Sequence, residues 1–393
     1  MQRGTDHHLF LRGKRAQQQP DWADTAQLAL VREELATCPG LVLPADLARL
    51  RALLADVAAG RAHVIQAGDC AEDPAESSGD YVARKAGLLD VLAGTMRMST
   101  RRPVLRAGRI GGQYAKPRSR PTETVAGQEL PVYRGHLVNG PEPDPKLRAA
   151  DPMRILTCYH AARQVHEHLG WTEAEHSWEH TAPLWTSHEA LLLDYEVPLV
   201  RRDETGRLYL ASTHWPWIGE RTRQPDGAHV ALLAAVSNPV ACKVGPLMST
   251  GDLLALCSLL DPGREPGRLT LIARMGAEAV TDRLPGLVRA VHEAGHPVIW
   301  LTDPMHANTE TTAAGLKTRR VGAVLREVEA FQCAVRSAGA VAGGLHLEIT
   351  PDMVTECLSD GGSEEQVGEK YTTLCDPRLN PRQSVTVAGA WRA

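Results

Sequence analysis

The sequence predicts an α/β fold: a (β/α)8 TIM barrel with a short N-terminal helical extension. Short apolar runs occur at intervals, and they do not alternate between apolar and polar residues. Amphipathic helical stretches separate several of these runs. Continuous apolar strands joined through helices are typical of a parallel sheet that is covered on both faces. Eight such runs favour a barrel over an open sheet.

Two amphipathic helices come first, within residues 26–40 and 44–60. Cys38-Pro39-Gly40 ends the first helix, and Gly60 is a plausible C-cap of the second. We therefore expect residues 1–60 to form the helical extension and residues 61–393 to form the barrel. The eight predicted strands are HVIQAG, PVLRAGRI, TAPLWTS, LASTHWPWIG, PVACKVGP, RLTLIARMG, PVIWLTDP and GGLHLEIT. The later predicted helices are STGDLLALCSLL, LPGLVRAVHEAG and VGAVLREVEAFQCAVRSAG.

One region interrupts the alternation of strands and helices, at about residues 117–180. Residues 117–152 are rich in Pro and Gly and predict a long loop, whereas residues 153–180 look helical and carry several His. Long loops inside compact domains are uncommon and usually functional. We treat the region as an insertion in the barrel.

The composition excludes several classes of protein. Of 393 residues, 43% are hydrophobic and 23% charged, which argues against disorder and against a coiled coil. A net charge of -4 and the lack of a basic stripe argue against nucleic-acid binding. No apolar run is long enough for a membrane span or a signal peptide. Eight cysteines without a CxxC pair indicate reduced thiols, so we expect a cytoplasmic protein.

Almost every predicted strand ends in a reactive side chain, and barrel active sites lie at the carboxyl ends of the strands. The basic members would form a strongly positive pocket in an acidic chain; they are Arg109, Lys116, Arg221, Lys243 and Arg274. Such a pocket suits a small ligand with several negative charges, such as a phospho-carboxylate.

A second group of residues offers ligands for a divalent transition metal. Cys70 is a soft ligand, His306 is borderline, and Glu348 and Asp376 are hard. Spacing alone predicts this site only weakly, because the four residues come from different strands and loops.

Ten motifs, in order along the chain, resemble those of type II 3-deoxy-D-arabino-heptulosonate 7-phosphate (DAHP) synthases, and the resemblance runs from about residue 8 to the C-terminus. They are QAGDCAE, RAGRIGGQYAKPRS, LPVYRGHLVNGPEPDP, TSHEALLLDYE, WIGERTRQPDGAHV, NPVACKVGP, GRLTLIARMG, VIWLTDPMHANT, GGLHLEITPDMVTEC and YTTLCDPRLNP. The resemblance implies a metal-dependent condensation of phosphoenolpyruvate (PEP) with erythrose 4-phosphate that releases phosphate. This reaction opens the shikimate pathway.

The resemblance also implies roles for individual residues. The metal ligands would be Cys70, His306, Glu348 and Asp376, holding Mn²⁺ or Co²⁺ in the first place, with Fe²⁺ and Zn²⁺ as alternatives. PEP would be bound by Arg109, Lys116, Glu220, Arg221, Lys243 and Arg274. Of these, Lys243, Glu220 and Arg221 would be catalytic. The phosphate of the aldose would be bound by Arg118 and Ser119, with Lys317 or Arg319.

The chain is short for this family, which indicates weak feedback inhibition and a role in a specialised, secondary-metabolite pathway. The family suggests a homo-oligomer, such as a dimer. An amino-DAHP synthase of the aminoshikimate pathway, using an amino or imino tetrose phosphate, stays open as an alternative. Two further alternatives are a Schiff-base aldolase with Lys243 as nucleophile and a non-catalytic barrel that acts as a regulatory partner.

Cys375 precedes Asp376, a residue that the resemblance implies as a metal ligand together with Cys70. We therefore expect the thiol of Cys375 near that of Cys70, where a disulfide could form in the absence of metal.

Overall fold

A computed structural model describes residues 11–125, 127–171 and 182–393, and the fold is built around one eight-stranded parallel sheet. In these ranges the helices are α1 (Thr25–Thr37), α2 (Pro44–Ala58), α3 (Gly79–Thr100), α4 (Met153–His168), α5 (Leu193–Glu196), α6 (Ala228–Ala235), α7 (Thr250–Leu260), α8 (Val280–Glu293), α9 (Val321–Ser337) and α10 (Pro381–Gly389). The strands are β1 (His63–Gly68), β2 (Val104–Arg109), β3 (Thr122–Val125), β4 (Gln128–Pro131), β5 (Leu184–Thr186), β6 (Val200–Arg202), β7 (Leu208–Leu210), β8 (Trp217–Ile218), β9 (Val240–Val244), β10 (Leu269–Ala273), β11 (Ile299–Thr302), β12 (Thr309–Thr311), β13 (Lys317–Arg319) and β14 (Ala342–Glu348).

The strand order in the sheet is β5-β2-β1-β14-β11-β10-β9-β8, and every pair is parallel. Each of the eight predicted strands corresponds to one strand of this sheet. The prediction of eight parallel strands is therefore confirmed. The sheet curls, and hydrogen bonds join its first and last strands: Trp217 N donates to His188 O at 3.0 Å, and Trp215 N donates to Thr186 O at 3.1 Å. The fold is therefore α/β with a curled parallel sheet, consistent with a TIM-barrel-like architecture.

The helices cover the outer face of the sheet with one apolar side each. In α9 the buried positions Val321, Val324, Val328, Phe331 and Val335 recur at intervals of three and four residues. This spacing places them on one helical face, which packs against β11 and β14. Strands β9, β10 and β14 are buried along their whole length, as expected for a sheet with two covered faces.

The predicted N-terminal extension contains α1 and α2, while residues 1–10 lie outside the described residues. Leu50, Leu54 and Val57 of α2 share one apolar cluster with Val64 of β1 and Ile299 of β11. These strand residues lie at the amino ends of the strands, opposite the strand ends that were predicted to carry the site. The domain boundary near residue 60 stays a prediction, since α2 packs directly on the sheet.

The predicted long loop at residues 117–152 was wrong in part, because β3 and β4 form an antiparallel hairpin there. The predicted helix at residues 153–180 is α4 up to His168, and residues 172–181 lie outside the described residues. Helix α3 was not predicted. Two further hairpins, β6–β7 and β12–β13, lie outside the main sheet.

None of the helices in the described ranges is at once long enough and apolar enough to cross a lipid bilayer.

Gly344 allows β14 to approach β1, and replacing it should destabilise the protein. A Cβ at Gly344 would lie 2.0 Å from the carbonyl oxygen of Val64. Both atoms belong to paired strands, so neither backbone can move aside. We expect Gly344→Ala to lower the free energy of unfolding by about 2–4 kcal/mol in urea titrations.

Gly286→Ala is the matched control, because a Cβ at this position in α8 meets nothing within 4 Å. It should be neutral or raise the free energy of unfolding by about 0.5–1 kcal/mol through helix propensity. Equal effects of the two substitutions would contradict the steric argument.

Candidate active site

The main cavity opens at the carboxyl ends of the parallel strands and has a volume of about 840 Å³. Arg109 ends β2, Lys243 lies in β9, and Arg274 directly follows β10. The hairpin β3–β4 contributes Thr122 and Thr124 to the wall. The predicted site residues on the lining are Arg109, Lys116, Arg118, Ser119, Glu220, Arg221, Lys243, Arg274, His306, Lys317 and Asp376. The structure therefore brings these residues together, with Cys70 and Glu348 buried behind the wall.

Three of the four predicted metal ligands form one group. The ligand atoms of Cys70, Glu348 and Asp376 all lie within 4.8 Å of one another. His306 stands beside this group, with Nε2 3.2 Å from Glu348 Oε1. Its other ring nitrogen, Nδ1, lies 2.7 Å from Asp303 Oδ2, as is usual for a histidine whose second nitrogen orients it toward a metal. A thiol, an imidazole and two carboxylates suit a divalent transition metal.

The ammonium group of Lys116 lies among these ligand atoms. Nζ is 3.0 Å from Cys70 Sγ, 2.9 Å from Asp376 Oδ2 and 3.4 Å from Glu348 Oε1. Although burial opposes a charge on this lysine, Asp376, Cys70 and Glu348 hold its pKa well above the ordinary value. In this structure the ammonium group of Lys116 thus balances part of the negative charge of the candidate ligand atoms.

Glu348 is fully buried at the end of β14 and is surrounded by cations. Arg319 Nη2 lies 2.8 Å from its Oε2, and Arg109 Nη2 lies 3.1 Å from its Oε1. Burial opposes the charge, but His306, Lys116 and Arg319 hold the pKa of Glu348 well below its usual range. Arg319 is itself wholly buried, so of the two alternatives predicted to join Arg118 and Ser119 at the aldose phosphate, only Lys317 reaches the cavity.

Lys243 shares a buried carboxylate with His306. Its Nζ lies 2.5 Å from Oδ2 of Asp303, the same oxygen that His306 contacts. Burial is the main cause that lowers the pKa of Lys243 to about 8, with Asp303 opposing it and Arg109 adding to it. Asp303 has no role in the sequence prediction, and the only signal for it was its place at the end of the predicted strand PVIWLTDP.

Arg274 and Arg221 present their guanidinium groups to the cavity without an acidic partner in the described ranges. Arg221 Nη2 donates to Ser119 Oγ at 2.7 Å, and this contact links the residues predicted for PEP with those predicted for the aldose. Arg118 differs, because Glu123 Oε2 lies 3.1 Å from its Nη2. Of the five cations predicted for PEP, Arg274 and Arg221 are therefore the two without an acidic partner in the described ranges.

Two carboxylates on the lining have buried oxygens without a hydrogen-bond partner in the described chain. Glu220 accepts two hydrogen bonds from Arg223 on Oε1, whereas its Oε2 has none. Oε1 of Glu189 is likewise buried without a hydrogen-bond partner in the described chain, and burial raises the pKa of this carboxyl group. The sequence analysis assigned no role to Glu189.

Several other polar residues at strand ends face away from the cavity. Asp69 is buried between Lys85 and Arg378, at 2.7 and 2.8 Å. Glu72 accepts the N–H groups of residues 111–113 at 2.8–3.0 Å and so holds the loop that follows Arg109. These carboxylates do not line the cavity but hold neighbouring side chains and the loop after Arg109 in place.

Cys375 lies close to Cys70, because the N–H of the next residue, Asp376, donates to Cys70 Sγ at 3.1 Å. Burial and the neighbouring thiol of Cys375 both raise the pKa of Cys70, which agrees with the predicted proximity. Arg118 Nη1 lies 3.8 Å from Cys375 Sγ, on the side toward the cavity.

Comparison with known proteins places the chain in a family. The model of the Class-II DAHP synthetase family matches residues 7–170 and 162–391. A protein of Pseudomonas fluorescens named "Probable phospho-2-dehydro-3-deoxyheptonate aldolase" is 58% identical, over 96% of this chain and 95% of that protein. A phospho-2-dehydro-3-deoxyheptonate aldolase of Streptomyces coelicolor is 41% identical, over 95% of this chain and 94% of its own.

A solved phospho-2-dehydro-3-deoxyheptonate aldolase of Francisella tularensis superposes with a TM-score of 0.51 at 12% identity. It covers 93% of this chain and 97% of its own, and at this identity the likeness concerns the fold alone. The family model and the two relatives cover nearly the whole chain, including every motif that lines the cavity. The chain belongs to the Class-II DAHP synthetase family.

Proposed function

We propose that this protein is a metal-dependent DAHP synthase, which condenses PEP with erythrose 4-phosphate to give DAHP and phosphate. The observation that carries the proposal is the pairing of two features in one cavity. A cluster of arginines and lysines adjoins a Cys, Glu and Asp group with His306 beside it. The names of the curated relatives, which describe phospho-2-dehydro-3-deoxyheptonate aldolases, support the same reaction.

The cations account for the recognition of PEP, which carries a carboxylate and a phosphate. In this proposal Arg109, Lys116, Arg221, Lys243 and Arg274 bind these two groups. Guanidinium forks match carboxylate and phosphate oxygens in pairs, and the low exposure of Arg109 and Lys243 strengthens their contribution. Arg118, Ser119 and Lys317 bind the phosphate of the aldose at the outer part of the cavity.

Cys70, His306, Glu348 and Asp376 would hold the metal, with Mn²⁺ or Co²⁺ as the first candidates and Fe²⁺ or Zn²⁺ as alternatives. When bound, the metal supplies Lewis acidity toward the aldehyde oxygen of the aldose. With a dication bound, the ammonium group of Lys116 would have to move away from these ligand atoms, because the two cations would repel each other at such distances. Lys116 is then available to PEP.

The reaction forms a bond between C3 of PEP and the aldehyde carbon. Water adds to C2, and phosphate leaves from the resulting hemiketal. In this scheme Glu220 orients the water, since its Oε2 has no partner in the described chain. Lys243 holds the carboxylate of PEP beside C2, and its lowered pKa also suits it to donate a proton.

We also infer a closed (β/α)8 barrel, a role in a specialised pathway, a cytoplasmic location and a homo-oligomer such as a dimer. The hydrogen bonds between residues 186–188 and Trp215 and Trp217 support the closed barrel.

Phosphate release tests the proposed function directly. Metal-free protein is mixed with PEP and erythrose 4-phosphate, with either EDTA or Mn²⁺ added. We expect Mn²⁺ to raise the rate of phosphate release by about 100-fold or more, because Lewis acidity contributes several kcal/mol. Mass spectrometry should show a seven-carbon phosphorylated sugar acid. Turnover of only an amino or imino tetrose phosphate would favour the amino-DAHP synthase, and no turnover of either would contradict catalysis.

Lys116→Met tests the competition between the lysine ammonium and the metal. Removing a cation that lies within 3.4 Å of three ligand atoms should tighten Mn²⁺ binding by about ten-fold in calorimetric titrations of metal-free protein. The KM for PEP should rise in the same variant. Lys146→Met, at an exposed position, is the control and should change neither value. Unchanged Mn²⁺ affinity in Lys116→Met would refute the competition.

A thiol count tests the pairing of Cys70 with Cys375. In air, the metal-free protein should lose two of its eight free thiols as the two sulfur atoms are oxidised by dioxygen to a disulfide. Bound metal should protect both thiols, because Cys70 is then a ligand. Cys375→Ser should keep all seven of its remaining thiols. A metal-free wild-type protein that retains eight thiols would rule out the disulfide.

A further inference from the structure

Glu327 is a buried carboxylate outside the cavity that binds two loops at once. It lies on the inner face of α9 and is wholly shielded from solvent. Its Oε1 accepts the backbone N–H groups of Met275 and Gly276 at 3.0 and 2.9 Å. Its Oε2 accepts the side-chain amide of Asn308 at 2.6 Å. The first loop follows β10, and the second follows β11.

The two loops carry residues with different tasks in the proposed function. Arg274, which faces PEP, directly precedes the two N–H groups that Glu327 binds. His306, a proposed metal ligand, lies two residues before Asn308. Asn308 also accepts the N–H of Ala277 at 3.1 Å, so its amide closes the link between the loops.

The loops also touch directly, at Gly276. This residue has φ +86°, and a Cβ there would lie 3.2 Å from the Cβ of Ala307. Only a glycine fits both the backbone conformation and the close approach. The contact leaves little room for either loop to shift alone, so a change at Glu327 should reach both.

Burying the carboxylate of Glu327 costs free energy, and the hydrogen-bond donors around it compensate this cost. Burial raises its pKa to about 7, against the opposing effect of the N–H groups of Gly276 and Met275 and of Asn308. Three donors point at its two oxygens, and only a carboxylate can accept on both sides. A glutamine would turn an NH₂ group toward one of the loops and lose that anchor.

We propose that Glu327 is a positioning residue, which fixes the PEP-binding Arg274 relative to the loop of the metal ligand His306. This inference rests on the proposed function, because it assumes the roles of these two residues. Glu327 touches neither substrate nor metal and acts through backbone N–H groups and Asn308. Supporting groups of this kind usually affect metal affinity or activity by about 10–100-fold.

The experiment compares Glu327→Gln, Asn308→Ala and the double variant with the wild type. For each protein we would measure the KM for PEP and for erythrose 4-phosphate, the PEP dissociation constant by calorimetry, and the affinity for Mn²⁺. Glu327→Gln should raise the KM and the dissociation constant for PEP by about ten-fold or more and should weaken Mn²⁺ binding. The KM for the aldose should change little, because Arg118, Ser119 and Lys317 lie outside the two loops that Glu327 binds.

Asn308→Ala keeps the test informative if Glu327→Gln folds poorly, since Asn308 is partly exposed. It should weaken PEP and Mn²⁺ binding in the same direction. The double variant should show less than the sum of the two single effects, because both residues belong to one hydrogen-bonded unit.

Glu196→Gln is the matched control. Glu196 is a similarly buried carboxylate, bound by His188 and Ser212 at 2.8 and 2.6 Å, and it touches neither loop. It should lower the thermal stability and leave the PEP dissociation constant unchanged.

Two results would overturn the inference. One is a folded Glu327→Gln protein with lower thermal stability but wild-type binding of PEP and Mn²⁺. The other is full additivity of the two substitutions. Failure of the proposed function is distinguishable, because it would show as a wild-type protein that binds PEP or metal without releasing phosphate.

Discussion

The arrangement of the site depends on the buried charge of Glu348. A carboxylate with no exposure is costly unless cations and hydrogen bonds compensate it. Arg109, Lys116, Arg319 and His306 do so here, and each comes from a different part of the chain. Charge balance at this one group therefore ties β2, β13 and two loops to the end of β14. Loss of any one cation would leave part of the charge uncompensated and would loosen the elements around it.

The same balance leaves positive charge where a substrate can reach it. The acidic groups near the metal ligands are paired within the protein, and Lys243 shares Asp303 with an imidazole. Arg274 and Arg221 face the cavity with no acidic partner in the described ranges, and the hydroxyl of Ser119 is a neutral contact. The positive charge of these two arginines would thus be neutralised by an anionic ligand in the cavity. Two of the acidic partners, Glu348 and Asp303, are fully buried and do not line the cavity.

The sequence predicted the parallel strands because burial on both faces makes them continuous apolar runs, and this signal is local. It did not predict the β3–β4 hairpin, whose strands TETV and QELP are short, polar and mostly outside the core. It also missed α3, where Gly87 and Gly94 weaken the helical pattern on the exposed side. In the site, residue types and family motifs predicted the cavity lining. They could not show that Arg319 lies behind Glu348 or that Asp303 links two site residues, because such contacts depend on tertiary packing.

One arrangement of an arginine, a loop and a buried glutamate occurs twice at the carboxyl end of the sheet. Arg109 and Arg274 each stand at the end of a strand, and each is followed by a glycine-containing loop. In both places a buried glutamate binds successive N–H groups of that loop: Glu72 behind Arg109 and Glu327 behind Arg274. The glutamates lie 39 and 51 residues away from the glycines that they bind, so no local pattern reveals them. Each carboxylate fixes a loop backbone through N–H groups and does not pair with the neighbouring guanidinium. That of Arg109 is therefore available to Glu348, and that of Arg274 keeps no acidic partner in the described ranges, so one arginine balances a buried charge and the other leaves positive charge at the cavity.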